Sequence, residues 1–235
     1  MQITEILMNF SLTRQEAQIY LTLLSEGVLT GYEVSKLSGI SRSNSYTSLA
    51  SLVDKGAAYI IEDTATRYTA VDISEFCKNK IAELEEFRLL LEQTVPKQKD
   101  EPEGYITIKG GKHILEKIIN MISTAKERVY ISLSATTFLM LTPYLENAVE
   151  RGLKLVIITS AGVLLNGATV YQAEKPVNQI RLITDSTAVL TGELDEGGSC
   201  LYSKKQNLVD LFKDTLKNEI TLINLKSQKK TGGEV

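Results

Sequence analysis

The chain has 235 residues, of which 43% are hydrophobic and 23% are charged, and its formal net charge is −3. This composition is typical of a globular protein with one large or two small domains, and it excludes a disordered or collagen-like chain. Two distant cysteines, Cys77 and Cys200, exclude a disulfide framework, and a single histidine excludes multi-histidine metal centres. No apolar run reaches the length of about 18 residues that a membrane span requires, and residues 1–10 do not have the pattern of a signal peptide. We therefore expect a cytoplasmic protein without a membrane partner, a metal or a cofactor.

The first 72 residues predict three helices followed by a β-hairpin. Capping boxes at Thr13 and Thr30 begin the first two helices, and Ser41 caps the third. Apolar residues then recur at helical spacing, and a glycine ends each run. The β-type segments 57–61 and 67–71 flank a polar turn, which is typical of a two-stranded wing. Residues 1–72 are therefore predicted to form a winged helix-turn-helix DNA-binding domain.

The helix that begins at Ser41 corresponds to the recognition helix, whose first residues reach base edges in the major groove. We expect Tyr46, Leu49 and Leu52 to face the core of the domain. The polar residues expected to face DNA, together with one arginine on the wing, are Ser41, Arg42, Ser43, Asn44, Ser45, Ser48 and Arg67. Arginine can read guanine, asparagine can read adenine, and serine can donate to phosphate or base. Serine and asparagine also favour helix starts, so helix capping alone is an alternative explanation of the pattern.

The charge of this predicted domain limits how it can bind. Residues 1–72 carry five basic and eight acidic side chains. Because phosphate neutralisation dominates DNA affinity, one copy should bind double-stranded DNA weakly. Two copies on a paired site would double the contacts. A winged helix that serves as a protein-interaction adaptor without DNA binding remains the alternative.

Residues 73–103 predict a long helix followed by a linker. Apolar residues in steps of three and four form a coiled-coil-like stripe on this helix, which also includes Phe76 and Val95. The residues predicted to form the dimer contact are Ile73, Cys77, Ile81, Leu84, Phe87 and Leu91. Pairing with a second copy to give a homodimer is the simplest burial of the stripe, and packing on its own winged helix is the alternative. The charged segment 96–104 contains two prolines and is predicted to be a linker.

Strands and helices alternate from residue 104 onward, which predicts an α/β or α+β effector domain over residues 104–235. Strands are expected at 105–109, 128–133, 153–159, 179–184, 188–194, 199–202 and 220–225, and helices at 111–125, 137–150 and 207–217. The polar segment 227–235 is expected to fray.

Ligand pockets in open α/β sheets form beyond the carboxyl ends of strands. The candidate ligand-binding residues at these ends are Ser132, Ser134, Thr159, Ser160, Asp185 and Thr187, although the same residue types are common in turns.

Several segments of the chain resemble the TrmB family of transcriptional regulators. In the first domain these are LTRQEA at 12–17, YLTLL at 20–24, TGYEV at 30–34 and SGISRS at 38–43. After the linker, IKG at 108–110 and AKERVYIS at 125–132 are similar to the start of that family's effector domain, which resembles phospholipase D in fold. The resemblance implies a DNA-binding winged helix, a helical dimerisation segment and a domain that senses a small-molecule effector such as a sugar. The chain resembles a short form of the family, without an additional C-terminal sugar-binding domain.

Catalysis by the effector domain is not expected. A phospholipase D site requires His-x-Lys-x4-Asp, and His113 is followed by Ile114 and Leu115 instead. The sequence also contains no G-x-S-x-G, P-loop or G-x-G-x-x-G motif. The sequence therefore predicts a homodimeric, sequence-specific transcriptional regulator that is not an enzyme. A cryptic hydrolase in the α/β domain is the remaining alternative.

Overall fold

The computed structural model describes residues 2–62, 65–96, 104–160 and 162–231, with side chains described up to residue 226. The chain divides into two compact units, Met1–Lys97 and Gln98–Val235. The helices are α1 (Ile3–Met8), α2 (Arg14–Glu26), α3 (Gly31–Ser38), α4 (Arg42–Asp54), α5 (Ile73–Thr94), α6 (Gly111–Thr124), α7 (Ala135–Glu150) and α8 (Gln206–Thr231). The strands are β1 (Leu29–Thr30), β2 (Ala58–Ile61), β3 (Arg67–Ala70), β4 (Tyr105–Lys109), β5 (Arg128–Ser132), β6 (Lys154–Thr159), β7 (Thr169–Gln172), β8 (Gln179–Thr184), β9 (Ala188–Glu193) and β10 (Ser199–Ser203).

The first unit has the predicted winged helix-turn-helix fold. Both capping boxes are present, and in the first the Thr13 N–H donates to the Glu16 carboxylate at 2.7 Å. The helices α2, α3 and α4 enclose a core that includes the fully buried Ile19, Val34 and Leu49. The strands β2 and β3 form the antiparallel wing, and β1, which the sequence did not predict, adds a third strand beside β3. The short helix α1 was also not predicted.

An ion pair joins Lys55 at the end of α4 to the buried Glu16 at the start of α2. The Lys55 ammonium lies 2.6 Å from the carboxylate of Glu16, whose side chain is 6% exposed. Burial alone would raise the pKa of Glu16, but the hydrogen bonds from Lys55 and from the Thr13 N–H outweigh burial and lower it. The pair therefore fixes the end of α4 against the start of α2.

The second unit is a seven-stranded sheet with helices on both faces. The strand order is β4-β10-β9-β8-β5-β6-β7, in which the β5–β6 and β6–β7 pairs are parallel and the others are antiparallel. The helices α6 and α7 cover one face through side chains such as Ile118 and Leu141, and α8 covers the other through Val209 and Leu216. The mixed α and β class that the sequence predicts is therefore confirmed.

The structure differs from the sequence prediction at three places in this unit. Segment 220–225 is helical and belongs to α8, because Leu216, Ile220 and Ile223 recur at helical spacing and pack with the α8 side of the sheet. The helix also continues through Thr231, which is part of the segment 227–235 that we expected to fray, and residues 232–235 lie outside the described residues. The edge strand β7 was missed, since it pairs on one side only and carries a mixed polar and apolar pattern. Among the described residues, no helix is both long and apolar enough to cross a membrane.

Candidate nucleic-acid interface and effector domain

The first turn of α4 presents exposed polar side chains. Ser41 caps the helix, and its hydroxyl accepts a hydrogen bond from the Asn44 N–H at 3.4 Å. Arg42, Ser43 and Asn44 are exposed beside it. Four of the residues predicted to face DNA therefore lie together on one accessible turn.

Ser45 and Ser48 do not face outward as we expected. Ser45 is fully buried and donates to the Ile40 carbonyl at 3.3 Å, while Ser48 is 8% exposed. The buried side of α4 follows positions 45, 48, 49 and 52, which is the spacing of one helical face. Both serines are therefore excluded from the candidate interface, because they lie on the core side of α4.

Two tyrosines that sequence reasoning did not assign to the interface lie beside this turn. Tyr46 is 50% exposed, although we expected it in the core, and its ring packs on the backbone of Gly31. A Cβ at Gly31 would lie 2.4 Å from Cε1 of that ring, so only glycine allows this contact. Tyr32 is 51% exposed, and the Arg42 guanidinium carbon lies 4.5 Å from the centre of its ring. No signal in the sequence indicates this arrangement, because hydrophobicity alone favours a buried Tyr46 and exposed serines.

Arg67 is the first residue of β3, the central strand of the small sheet. It is half-buried in β3, where it pairs with Thr30 on one side and Ile61 on the other. The pKa of Glu33 is lowered by hydrogen bonds from the backbone and side chain of Thr30, with a smaller contribution from the charge of Arg67. Part of the turn between the two wing strands, at residues 63–64, lies outside the described residues. Arg67 is thus at the end of the wing strands that adjoins the turn, opposite Thr30 at the start of α3, and a contact between Arg67 and DNA stays a prediction.

The predicted dimerisation stripe divides into two parts. Phe76 is 1% exposed, and its ring centre lies 5.6 Å from that of Tyr20 and 6.4 Å from that of Phe10. Cys77 is half-buried and packs against the same core. For these two residues the alternative is correct, because they pack on their own winged helix. The linker predicted after the helix, at 96–104, lies mostly outside the described residues.

The rest of α5 keeps its apolar side chains exposed. Exposed fractions from 41% to 58% are found for Ile73, Ile81, Leu84, Phe87, Leu89, Leu90, Leu91 and Val95. Ion pairs such as those of Arg88 with Glu85 and Glu92 run along the same helix. The dimer itself stays a prediction.

The candidate ligand-binding residues of the second unit do not form one site. Ser132, Ser134 and Thr159 are buried near the carboxyl ends of β5 and β6, and Ser160 beside them is half-buried. Ser134 caps α7 and donates to the Val177 carbonyl at 2.8 Å. The Thr159 hydroxyl is fully buried and has no hydrogen-bond partner among the described residues.

Asp185 and Thr187 lie at the opposite end of the sheet, so they cannot surround the same pocket as Ser132 and Thr159. Because β8 runs antiparallel to β5, Thr184 pairs with Val129 near the start of β5. The Asp185 carboxylate accepts hydrogen bonds from the backbone N–H groups of residues 126, 127 and 128 at 2.9, 2.8 and 3.0 Å. Burial alone would raise the pKa of Asp185, but these three donors outweigh burial and lower it. Asp185 is therefore a structural connection between two strands.

The residues that phospholipase D chemistry would need are not assembled. His113 is exposed in the first turn of α6 and lines an open hollow of about 370 Å³ with Lys109, Lys112 and Glu196. It is the single histidine of the chain. The described residues also contain no cluster of three or more His, Cys, Asp or Glu side chains that could hold a metal ion.

Two family models match successive parts of the chain. The model described as sugar-specific transcriptional regulator TrmB matches residues 7–74, and the model for the N-terminal subdomain of the TrmB effector-binding domain matches residues 104–207. The uncharacterized protein YrhO of Bacillus subtilis is 33% identical over 170 residues, which cover 71% of this chain and 62% of YrhO. The HTH-type sugar sensing transcriptional regulator TrmBL1 of Pyrococcus furiosus is 28% identical over 137 residues, which cover 56% of this chain and 40% of TrmBL1.

The chain thus spans less than two thirds of the length of these two relatives. Among solved structures, the archaeal chromatin protein TrmBL2 is 21% identical with a TM-score of 0.45, and the alignment covers 97% of each chain. The two family matches follow the order of the two units and leave the predicted linker between them. The chain belongs to the TrmB family of transcriptional regulators.

Proposed function

We propose that this protein is a sequence-specific, DNA-binding transcriptional regulator that acts as a homodimer, with a non-catalytic effector domain that senses a small molecule. The observation that carries the proposal is the first turn of α4, where Arg42, Ser43 and Asn44 are exposed on a folded winged helix. These side chains are donors and acceptors suited to base edges, and they stand where a recognition helix makes its base contacts. Membership of the TrmB family supports the same function.

Two copies are needed because one winged helix has little positive charge. Residues 1–72 contain eight acidic and five basic side chains, so few phosphates can be neutralised by one copy. A dimer doubles the base contacts and fixes the spacing between two half-sites. The affinity for DNA would then depend on the few side chains that contact the bases, which a dimer presents twice.

The exposed part of α5 is the contact that we propose for this dimer. Leu84, Phe87 and Leu91 are each at least half exposed in one chain and recur in steps of three and four. Pairing with the same stripe of a second copy would remove them from water. Each Å² of apolar surface that is buried in this way would stabilise the dimer by about 25 cal/mol. The buried Phe76 at the start of α5 keeps the helix attached to its winged helix.

The effector domain is proposed to bind a small polar molecule such as a sugar near the carboxyl ends of β5 and β6. Ser160 is half-buried there, and the buried Thr159 hydroxyl beside it has no partner among the described residues. We propose no catalysis, since His113 lacks the lysine two positions later that a phospholipase D motif needs. Hydrolysis of a generic phosphodiester by the purified protein, abolished by His113→Ala, would favour the hydrolase alternative.

DNA binding is tested by selecting genomic fragments with the full chain and measuring their retardation at two salt concentrations. We expect selective retardation that weakens with salt, and loss of selectivity in Arg42→Ala. Arg14→Ala is the matched control, because Arg14 is an exposed arginine of the same unit that lies on α2 instead of α4. Retardation of no fragment would contradict the proposal and favour a protein-interaction adaptor.

The dimer is tested by light scattering on Leu84→Lys. The charge would have to be buried in the paired stripe, so we expect the mass of a monomer. Gln93→Lys is the control, because it adds the same charge to the same helix nine residues later, on the opposite face. Equal masses for the two variants would refute the α5 contact.

A further inference from the structure

The Arg42 guanidinium lies over the ring of Tyr32, beside the first turn of α4. The guanidinium carbon lies 4.5 Å from the centre of the Tyr32 ring. Both side chains are exposed. Among the described residues, the structure shows no carboxylate paired with Arg42, and its guanidinium contacts the Tyr32 ring instead.

The pair is held from two anchored helix starts. Tyr32 follows the capping box in which Thr30 and Glu33 exchange hydrogen bonds, and Arg42 is the first residue of α4. The turn between α3 and α4 contains Gly39 in the left-handed region at φ 71°. The Ile40 carbonyl in this turn accepts from the Ser35 hydroxyl at 2.8 Å and from the Ser45 hydroxyl at 3.3 Å. The backbones that carry the ring and the guanidinium are therefore fixed relative to each other.

Within the part of the chain that the structure describes, the contact with the Tyr32 ring leaves the N–H donors of the guanidinium without a carboxylate or carbonyl acceptor. The guanidinium carries five N–H donors that point outward in its plane. A paired carboxylate would occupy those in-plane donors, but Tyr32 does not. Bidentate recognition of guanine O6 and N7 requires two in-plane donors held in a fixed orientation.

We propose that Tyr32 is a positioning residue for DNA recognition, which orients Arg42 to read a guanine in the major groove. The proposal rests on the proposed DNA-binding function and specifies the base and the residue behind the contact. Ser45 then has an indirect role, because it holds the turn between α3 and α4 and does not contact the DNA itself. Because residues 1–72 contain only five basic residues, orienting one arginine is an efficient source of selectivity.

The experiment uses the full chain and the genomic duplex that it binds most tightly. Guanines of this duplex are replaced one at a time by 7-deazaguanine, which removes the N7 acceptor. Affinities are measured for the unsubstituted protein, for Tyr32→Leu, which removes the π face, and for Tyr32→Phe, which keeps it. The dependence of affinity on salt concentration is recorded for each protein.

We expect one guanine whose replacement weakens binding of the unsubstituted protein by about fivefold or more. Tyr32→Leu should bind the unmodified duplex about 2- to 5-fold more weakly for each winged helix and lose most of its sensitivity to that replacement. Its salt slope should be unchanged, because phosphate contacts are retained. Tyr32→Phe should behave like the unsubstituted protein. If Tyr32 acted through its hydroxyl, Tyr32→Phe would instead behave like Tyr32→Leu.

The outcomes separate this inference from the proposed function. Selective binding that is equally sensitive to guanine replacement in Tyr32→Leu and in the unsubstituted protein overturns the role of Tyr32 alone. Selective binding that no guanine replacement weakens overturns the guanine contact alone. Absence of binding by the unsubstituted protein to any duplex overturns both the inference and the proposed function.

Discussion

Replacing Asp185 by asparagine should destabilise the second unit without affecting any ligand directly. Oδ1 accepts from the N–H groups of residues 127 and 128, and Oδ2 accepts from that of residue 126. Asparagine can keep the Oδ1 contacts without their charge, but its amide would place a donor against the third N–H. Because two of the three bonds are exposed and water can replace them, we expect a loss of about 1–2 kcal/mol.

The effect should depend on pH in a defined direction. The pKa of Asp185 is lower in the folded chain, so its stabilisation is fully present above the unfolded carboxyl pKa of about 3.9. It is lost as the pH falls through the lower folded pKa, where both states bind the proton. The stability difference between Asp185→Asn and the unsubstituted protein should therefore be constant near pH 7 and shrink below about pH 4.

Thermal unfolding followed by circular dichroism measures the effect, with an expected decrease in Tm of about 3–8 °C at pH 7. Ser186→Gly is the control in the same turn. Ser186 has a φ of 56°, which glycine adopts without strain, so this variant should be as stable as the unsubstituted protein or more stable by up to about 1 kcal/mol. An unchanged Tm for Asp185→Asn would refute the structural assignment. If the same variant also lost its response to an effector, Asp185 would again be a ligand-binding candidate.

Three further substitutions test the packing of the first unit. Phe76→Ala should cost about 3–5 kcal/mol in unfolding free energy by chemical denaturation, since its fully packed ring would leave a cavity, whereas the exposed Leu84→Ala should cost less than about 1 kcal/mol in the monomer. Ser45→Ala should lower the free energy of unfolding by about 1 kcal/mol, because its buried hydrogen bond is lost. At a temperature at which this variant is fully folded, its affinity for a selected duplex, measured by retardation, should stay within about twofold of that of the unsubstituted protein. Lys55→Met should cost about 2–3 kcal/mol at pH 7 and less at pH 3, because the Glu16 carboxylate would be left without its ion pair until it is protonated.

The local elements of the first unit could be predicted because each has its own signal. The capping boxes at Thr13 and Thr30 satisfy backbone groups within one turn, so four residues contain all of the information needed. The same local logic misled the assignment of Ser45 and Tyr46. A small polar residue and a large aromatic one occupy the positions opposite to those that hydrophobicity favours, because Gly31 leaves room for the tyrosine ring outside the core.

The candidate site in the second unit could not be predicted because it depends on strand direction. Asp185 directly follows β8 in the same way as Ser160 directly follows β6, and the residues at the two strand ends look equivalent in sequence. Only the antiparallel pairing of β8 with β5 puts Asp185 at the opposite end of the sheet. Strand direction is a property of tertiary topology, and no residue within either strand encodes it.

The buried start of α5 determines what a signal from the effector domain could change. The Tyr20 hydroxyl donates to the Val71 carbonyl at 2.8 Å, and the Phe76 ring packs on Tyr20 one turn into the helix. The first turns of α5 therefore move with the recognition helix as one body. In the proposed dimer, the distance between the two copies of Arg42 is then set by how the exposed parts of α5 pair. An effector that binds one arrangement of the paired α5 helices more tightly than another would shift the dimer toward that arrangement. The spacing between the two half-sites would then change without repacking of either winged helix.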